Sequence, residues 1–455
     1  MSNEGSALRQ VLFGVGIGVA IGASLSLAAS ITTQQKPSIR RDHSKLARPI
    51  ELRSGEVRDG VTGLIGNTPL IRIKSLSDAL GVTILAKAEL LNPGGSVKDR
   101  VALRIIQDAE QLGLLVPNTG SRIFEGTVGS TGISIATVAR ARGYDTTIIM
   151  PDDVATEKVK ALEALGATVE RVRPVSIVDK KQYVNLARKA ALEFGTSSQL
   201  NASDASRGAS DIPPFVSTSE LAVAPANSKS PSAARGFFAD QFENKSNYDA
   251  HFEGTGPEIW SQTNGHVDAF ISGAGTGGTI AGVGRYLKSM SETTRVVLAD
   301  PQGSGLCNKV RYGVLFDEAE REGTKRRHQV DTVVEGIGIN RLTQNINLAL
   351  PIIDDAFRIS DAEAVSMARY LVQHDGLFLG SSSACNLVAC VKLVKKMGWC
   401  NGERVVTIMC DSGTRHYSKF WNDDYLRQND IPIQASIVEE MLGSPANGHT
   451  HKLEG

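Results

Sequence analysis

The sequence predicts an α/β protein built on parallel sheets, and three observations carry that prediction. Short apolar runs of strand length recur along the chain, each followed by a segment of helical period. The turns between run and helix are rich in Gly, Ser and Thr, as expected where a strand feeds the start of a crossover helix. The composition, 41% hydrophobic with 45 glycines in 455 residues, is that of a globular α/β protein. Basic and acidic residues balance at 49 each, so no charge excess points to nucleic acid or a polyanion. The five cysteines form no CxxC pair and are odd in number. That argues against a disulfide framework or a structural zinc site, and for a reducing compartment.

Taken in order, the chain opens with a stretch from Gln10 to Gln35 that carries no charge. Within it, residues 11–31 are long enough to cross a bilayer as a helix. Gly14, Gly16, Gly18 and Gly22 give it small-residue faces suited to packing against another helix. Only Glu4 and Arg9 precede it, whereas Lys36, Arg40, Arg41, Lys45, Arg48 and Arg53 follow. The basic excess on the C-terminal side predicts a single-pass anchor over 1–35 with the bulk of the protein facing the cytosol. A secretory signal peptide would carry its basic residues first, and a matrix-targeting presequence would be an arginine-rich amphipathic helix. A short, mildly apolar span with basic flanks resembles the signal anchors of the mitochondrial outer membrane. Residues 36–60 read as a polar linker.

The strand–helix series starts at 70–73 and 84–90. A turn, Asn92-Pro93-Gly94-Gly95, follows, with Ser96 as a candidate N-cap for the helix beyond it. Lys98 would sit in the first helical turn, where the helix dipole disfavours a cation and lowers the amine's pKa. An amine that is partly neutral can form a Schiff base. Further strands are expected at 122–125, 146–150 and 168–172, and helices at 133–142, 156–165 and 180–194. Residues 203–234 interrupt the pattern with Ser, Ala and Pro and read as a surface insertion. A second series places strands at 268–272, 295–299 and 405–409, and helices at 280–290, 361–374 and 384–396. Residues 428–455 read as a tail.

Glycine- or serine-rich turns centred on Lys98, Ser130, Thr276 and Ser382 each join a predicted strand to a predicted helix. In an open parallel sheet such turns gather at one edge, where ligands bind. Gly275, Thr276, Gly277, Gly278 and Thr279 have the composition to cradle a phosphate at a helix N-terminus. They lack the lysine of a Walker loop and do not fit the dinucleotide fingerprint. A reactive lysine, a phosphate cup and a serine turn together suggest pyridoxal 5′-phosphate.

The motifs IGNTPL (65–70), NPGGSVKDR (92–100), EGTVGSTGIS (125–134), QFEN (241–244), TGPEIW (255–260), GAGTGGTIAGVGRYLK (273–288), EGIGINR (335–341) and DSG (411–413) are present in one chain. In kind, order and spacing they resemble the cysteine synthase and cystathionine β-synthase family of fold type II pyridoxal-phosphate enzymes. The resemblance covers about residues 60–427. It implies the tryptophan synthase β-like fold, with two Rossmann-like three-layer domains in 61–427. The smaller and mobile one would span about 98–202. It also implies a homodimer and an activity: O-acetyl-L-serine and sulfide giving L-cysteine and acetate. A cystathionine-forming reaction, β-elimination, or a tethered protein with impaired catalysis are the alternatives.

The same resemblance implies residue roles. Lys98 would be the Schiff-base lysine and the base for the α-proton. The 275–279 loop would hold the phosphate, and Ser382 would face the pyridine nitrogen. Thr127, Gly129, Ser130 and Thr131 would grip the substrate carboxylate with help from Gln241. Ser130 would also stand beside the cofactor's 3′-oxygen. There the sequence departs from the family's usual T-S-G-N-T: it has Val128 for the serine and Ser130 for the asparagine. Both changes fall at the substrate end of the site.

Overall fold

The computed structural model describes residues 57–194, 234–317 and 332–443. The expected anchor, almost all of the linker and of the 203–234 insertion, and the end of the tail lie outside them. Among the described residues no helix is long and apolar enough to cross a membrane.

Ten strands form two sheets. The large sheet contains β1 (Leu70–Arg72), β2 (Thr83–Ala88), β7 (Ala269–Gly273), β8 (Arg295–Pro301), β9 (Asp355–Ile359) and β10 (Arg404–Met409), in the order β1-β2-β10-β7-β8-β9. The small sheet contains β3 (Arg122–Gly126), β4 (Asp145–Pro151), β5 (Thr168–Val172) and β6 (Gly236–Phe238), in the order β5-β4-β3-β6. Every pairing is parallel except β1 with β2, which is antiparallel.

The large sheet is covered on both faces, which explains why its strands read as unbroken apolar runs. On β7, β8 and β10, Ala269, Ile271, Val297, Ala299, Val405 and Met409 point into one core. Phe270, Val296, Leu298, Val406 and Ile408, one residue out of step, point into the other. The helices that cover the sheets and start near the site are α1 (Lys98–Gln111), α2 (Ser130–Ala141), α3 (Thr156–Ala164), α4 (Tyr183–Glu193), α5 (Gly278–Met290), α6 (Asp361–Asp375) and α7 (Ser381–Met397). The start and stop of α6 are written in the sequence. Ser360 and Glu363 form a reciprocal capping box, and Gly376 ends the helix in the left-handed conformation.

Two strands escaped the sequence reading. β6 is three residues long, too short for a period, and it joins the small sheet from beyond the insertion. β9 is an edge strand whose Asp355 and Arg358 break its apolar run. Pairing with β8 holds it in place, and no local pattern could reveal that.

The architecture matters to function because β2, β3, β7 and β10 all end on the same side, each running into a turn. α1, α2 and α5 start from three of those turns.

Candidate active site

A cavity of about 350 Å³ lies between the two sheets, and it is lined by all four turns. The predicted site residues Lys98, Thr127, Ser130, Thr131, Gln241, Gly275, Thr276, Gly277, Thr279 and Ser382 line it directly. Gly129 and Gly278 do not. Lys158 packs on Gly129, and Asn247 on Gly278.

Lys98 is the first residue of α1. Ser96 was expected to cap this helix. The N-cap position is instead held by Val97, without a side-chain bond. Ser96 still serves the turn, since its hydroxyl accepts the Lys98 N–H at 3.3 Å. The Lys98 amine has no hydrogen-bond or ion-pair partner among the described residues. Its pKa is lowered, and burial rather than the helix dipole is the main cause; Cys410 and Asp411 act weakly in the opposite direction. The turn before it is fixed from below. Asp99, wholly buried, accepts from Gly94 N–H and from the Ser134 hydroxyl, both at 2.5 Å.

In the same cavity, the 275–279 loop leads into α5 without any side chain capping the helix. The N–H groups of its first turn are therefore available to an anion. Gly277 adopts φ +91°, and a Cβ there would lie 2.6 Å from Ile346 N. A Cβ on Gly275 would lie 2.3 Å from the Gly336 carbonyl oxygen. Only glycine lets the backbone turn this tightly against its neighbours.

Residues just beyond two of the motifs hold this loop. From the QFEN segment and the helix after it, Asn247 donates to the Thr276 hydroxyl and to the Gln241 carbonyl, each at 2.8 Å. Just past EGIGINR, Thr343 donates to the Thr276 carbonyl at 2.9 Å.

The turn before Ser382 was expected to follow a strand, but it joins the helices α6 and α7; Ser382 lies in the first turn of α7, 5% exposed. The turns at 380 and 411 are stitched together. Gly380 N–H donates to the Asp411 carbonyl at 3.1 Å and Cys410 N–H to the Ser383 hydroxyl at 2.8 Å. Asn386 wedges between the ends of β7 and β10, accepting from Gly273 N–H at 2.7 Å and donating to the Ile408 carbonyl at 2.9 Å. In the 127–131 loop, the Thr131 hydroxyl donates to Gln241 Oε1 at 2.5 Å, so two predicted substrate residues hold each other. Val128, the other departure in this loop, is 40% exposed.

Sequence reasoning missed several residues here. His251 lies in a π turn (His251–Thr255), wholly buried, with Nε2 3.1 Å from the Thr279 hydroxyl and Nδ1 2.9 Å from that of Thr255. Burial, then the nearby Lys98 and Arg100, keep its pKa well below the usual value. Cys410 lines the cavity beside Lys98, its thiol pushed up to about 11 by burial. Asp411 pairs with His416 at 3.0 Å. Burial alone would raise the Asp411 carboxyl, but His416, Lys158 and Arg415 outweigh it and hold it below the ordinary range. Glu335, Lys158 and Lys419 complete a charged rim. Lys158 is hidden because it falls in an ordinary helical period, and only the fold brings it to the cavity.

These residues fit pyridoxal phosphate. An amine without a partner among the described residues and an uncapped helix start line the same cavity, and a neutral hydroxyl sits at the start of a second helix. The arrangement can hold an aldehyde, a phosphate and a heteroaromatic nitrogen at separate points of one cavity.

Residues 61–411 match the family described as pyridoxal-phosphate dependent enzyme. Cysteine synthase 2 of Schizosaccharomyces pombe is 54% identical over 379 residues, covering 83% of this chain and 87% of that protein. A Saccharomyces cerevisiae protein named "Putative mitochondrial cysteine synthase" is 49% identical, covering 84% of this chain and 88% of its own. Among solved structures, O-ureido-L-serine synthase superposes with a TM-score of 0.63 at 26% identity, covering 81% of this chain and 96% of that one.

Proposed function

From the premise that this chain belongs to the pyridoxal-phosphate dependent enzyme family, we propose that it carries out β-replacement on O-acetyl-L-serine. It is a pyridoxal-phosphate enzyme of the cysteine synthase type, acting in cysteine biosynthesis. O-acetyl-L-serine and hydrogen sulfide give L-cysteine and acetic acid.

The observation that carries the reading is that the Lys98 amine, without a partner among the described residues, lines one cavity with the 275–279 cradle. Bound there, the cofactor supplies an electron sink for the pair left when the α-proton departs, so that acetate can leave from the β-carbon. Lys98 holds the cofactor's aldehyde carbon. The same amine, when free, would remove the α-proton of the donor, a role its lowered pKa favours. Gly275, Thr276, Gly277, Gly278 and Thr279 hold the phosphate with backbone N–H groups and hydroxyls. Ser382 meets the pyridine nitrogen with a neutral hydroxyl. Thr127, Gly129, Ser130 and Thr131 present the N-terminus of α2 to the donor carboxylate, with Gln241 bracing Thr131.

The test is a spectral titration of the full-length protein purified with its cofactor. O-acetylserine should change the cofactor's visible absorbance, and sulfide should reverse the change with release of cysteine. Lys98→Ala should lose the visible band and at least about 10³ of the turnover rate. A variant that keeps both would refute the lysine assignment.

The charge distribution around residues 11–31 supports a single-pass anchor in the mitochondrial outer membrane with the catalytic part facing the cytosol. The word "mitochondrial" in the yeast relative's name agrees with that organelle. Release by alkaline carbonate, or protection from protease in intact mitochondria, would rule the placement out. The family likeness further suggests a homodimer, which sedimentation of the purified protein would test.

A further inference from the structure

We propose that Lys158 is a positioning residue that fastens the substrate loop to the phosphate loop, so that the donor meets a complete site only while Lys158 is seated on Glu335. The proposal rests on the reading of 127–131 as the loop that grips the donor.

Lys158 lies on α3, in the layer of the small sheet, and is 4% exposed. A lysine so hidden requires a partner, and it has one across the cavity: its amine bonds to the Glu335 carboxylate. Its stem has a second contact. Gly129 adopts φ +140°, and a Cβ on it would lie 2.5 Å from Lys158 Cδ and 3.4 Å from its Cβ. The lysine stem therefore occupies the space beneath the loop that leads into α2.

Glu335 is equally well placed on the other side. Its own N–H donates to the Ser381 hydroxyl at 3.0 Å, next to Ser382. The residue after it, Gly336, is the one whose carbonyl fills the Cβ position of Gly275 in the phosphate loop. The Lys158–Glu335 pair thus has the substrate loop against one end and the phosphate loop against the other.

Glu335 remains a carboxylate for physical reasons. His416 Nδ1 at 3.6 Å and Lys419 Nζ at 3.7 Å flank it besides Lys158. Burial opposes ionisation, but these three neighbours outweigh it and hold the carboxyl below its ordinary range. The neighbouring Glu157 accepts the Ser418 N–H and hydroxyl, both at 3.1 Å, and Lys419 donates to the Asp153 carbonyl at 3.3 Å. These contacts hold the start of α3 against the 416–419 segment, so the pair needs no large motion to form. What Lys158 adds is the connection to Gly129.

The test uses the full-length holoenzyme with O-acetylserine titrated against the cofactor's visible absorbance. Lys158→Met keeps a stem of similar length and discards the charge. Glu335→Gln removes the partner with its shape intact. Each should raise the half-saturating donor concentration about tenfold, with the donor-free spectrum and cofactor content unchanged, and the double variant should be no worse than the worse single one. Lys158→Arg should stay within about threefold of the wild type, because it restores the charged contact. An unchanged half-saturation in Lys158→Met, or two effects that simply add, would overturn the proposal. So would cofactor loss in Lys158→Met with a normal Glu335→Gln, since that marks a merely structural lysine. If the wild type itself gave no response to the donor, the functional reading would fail first and this inference with it.

Discussion

Lys98 and Glu125 show how burial sets the chemistry of single residues here. At Lys98 burial is the main cause of the lowered pKa, with Cys410 and Asp411 opposing it. Glu125, at the end of β3 beside Gln241, shows the same force on a carboxyl. It is fully buried, and burial, then Asp240, push its pKa well above the usual 4.5. A carboxyl whose folded pKa is raised contributes its stability below pH 4.5 and loses it as the pH rises toward the folded pKa. Glu125→Gln should therefore raise the melting temperature at pH 7 to 8, by about 1 kcal/mol or more in stability, and change little near pH 4. Thermal unfolding at both pH values checks this. Ser130 can offer one hydroxyl where the family's asparagine offers an amide. Ser130→Ala should lower kcat/KM for the donor about fivefold, the worth of a single hydrogen bond near 1 kcal/mol. Steady-state kinetics with O-acetylserine would measure it.

At the scale of elements, each turn is defined by what packs against it. The 275–279 loop shows this best. Its glycines are legible as a turn from sequence, but the reason for them is not. Gly277 needs φ +91° and has Ile346 where a Cβ would go, while Gly278 has Asn247 Oδ1 at 2.0 Å from the same position. Gly277→Ala should weaken cofactor retention about tenfold or more through backbone strain of about 1–3 kcal/mol. The dissociation of cofactor on dialysis, followed by absorbance, is the measurement. The helix from Ser246 to Gln262 is interrupted by the π turn that holds His251 against Thr279. Such an insertion leaves no period for a sequence reading to detect, since one extra residue shifts every later side chain.

Across the whole molecule, a buried charge network ties the large sheet to α1 and so sets where Lys98 stands. Arg100, two residues beyond the lysine, bonds Glu89 after β2 and Glu258 before β7, at 2.7–2.8 Å. Lys87 on β2 pairs with Glu258 at 2.6 Å. Burial opposes the Glu258 charge, but Arg100 and Lys87 hold its pKa near 2. Burial still lowers the Lys87 amine despite this pair. Glu258→Gln should cost about 3 kcal/mol, because it leaves a fully buried lysine without its counter-ion. With the carboxyl depressed, the stability it confers is complete above pH 4.5 and is lost as the pH falls through that value toward 2. Denaturant unfolding of the wild type and the variant at pH 7 and pH 3 should show the difference shrinking in acid.

The sequence by itself determined most of the strand–helix alternation, three of the four turns and the place of Lys98 in one of them, because these rest on local rules of period and turn chemistry. Only the tertiary structure decided that Lys158, Glu335, His251 and His416 belong to the site. Their neighbours lie 28 to 177 positions away or across a π turn, and a charge is worth something to a site only when burial and partners, neither visible along the chain, fix it there.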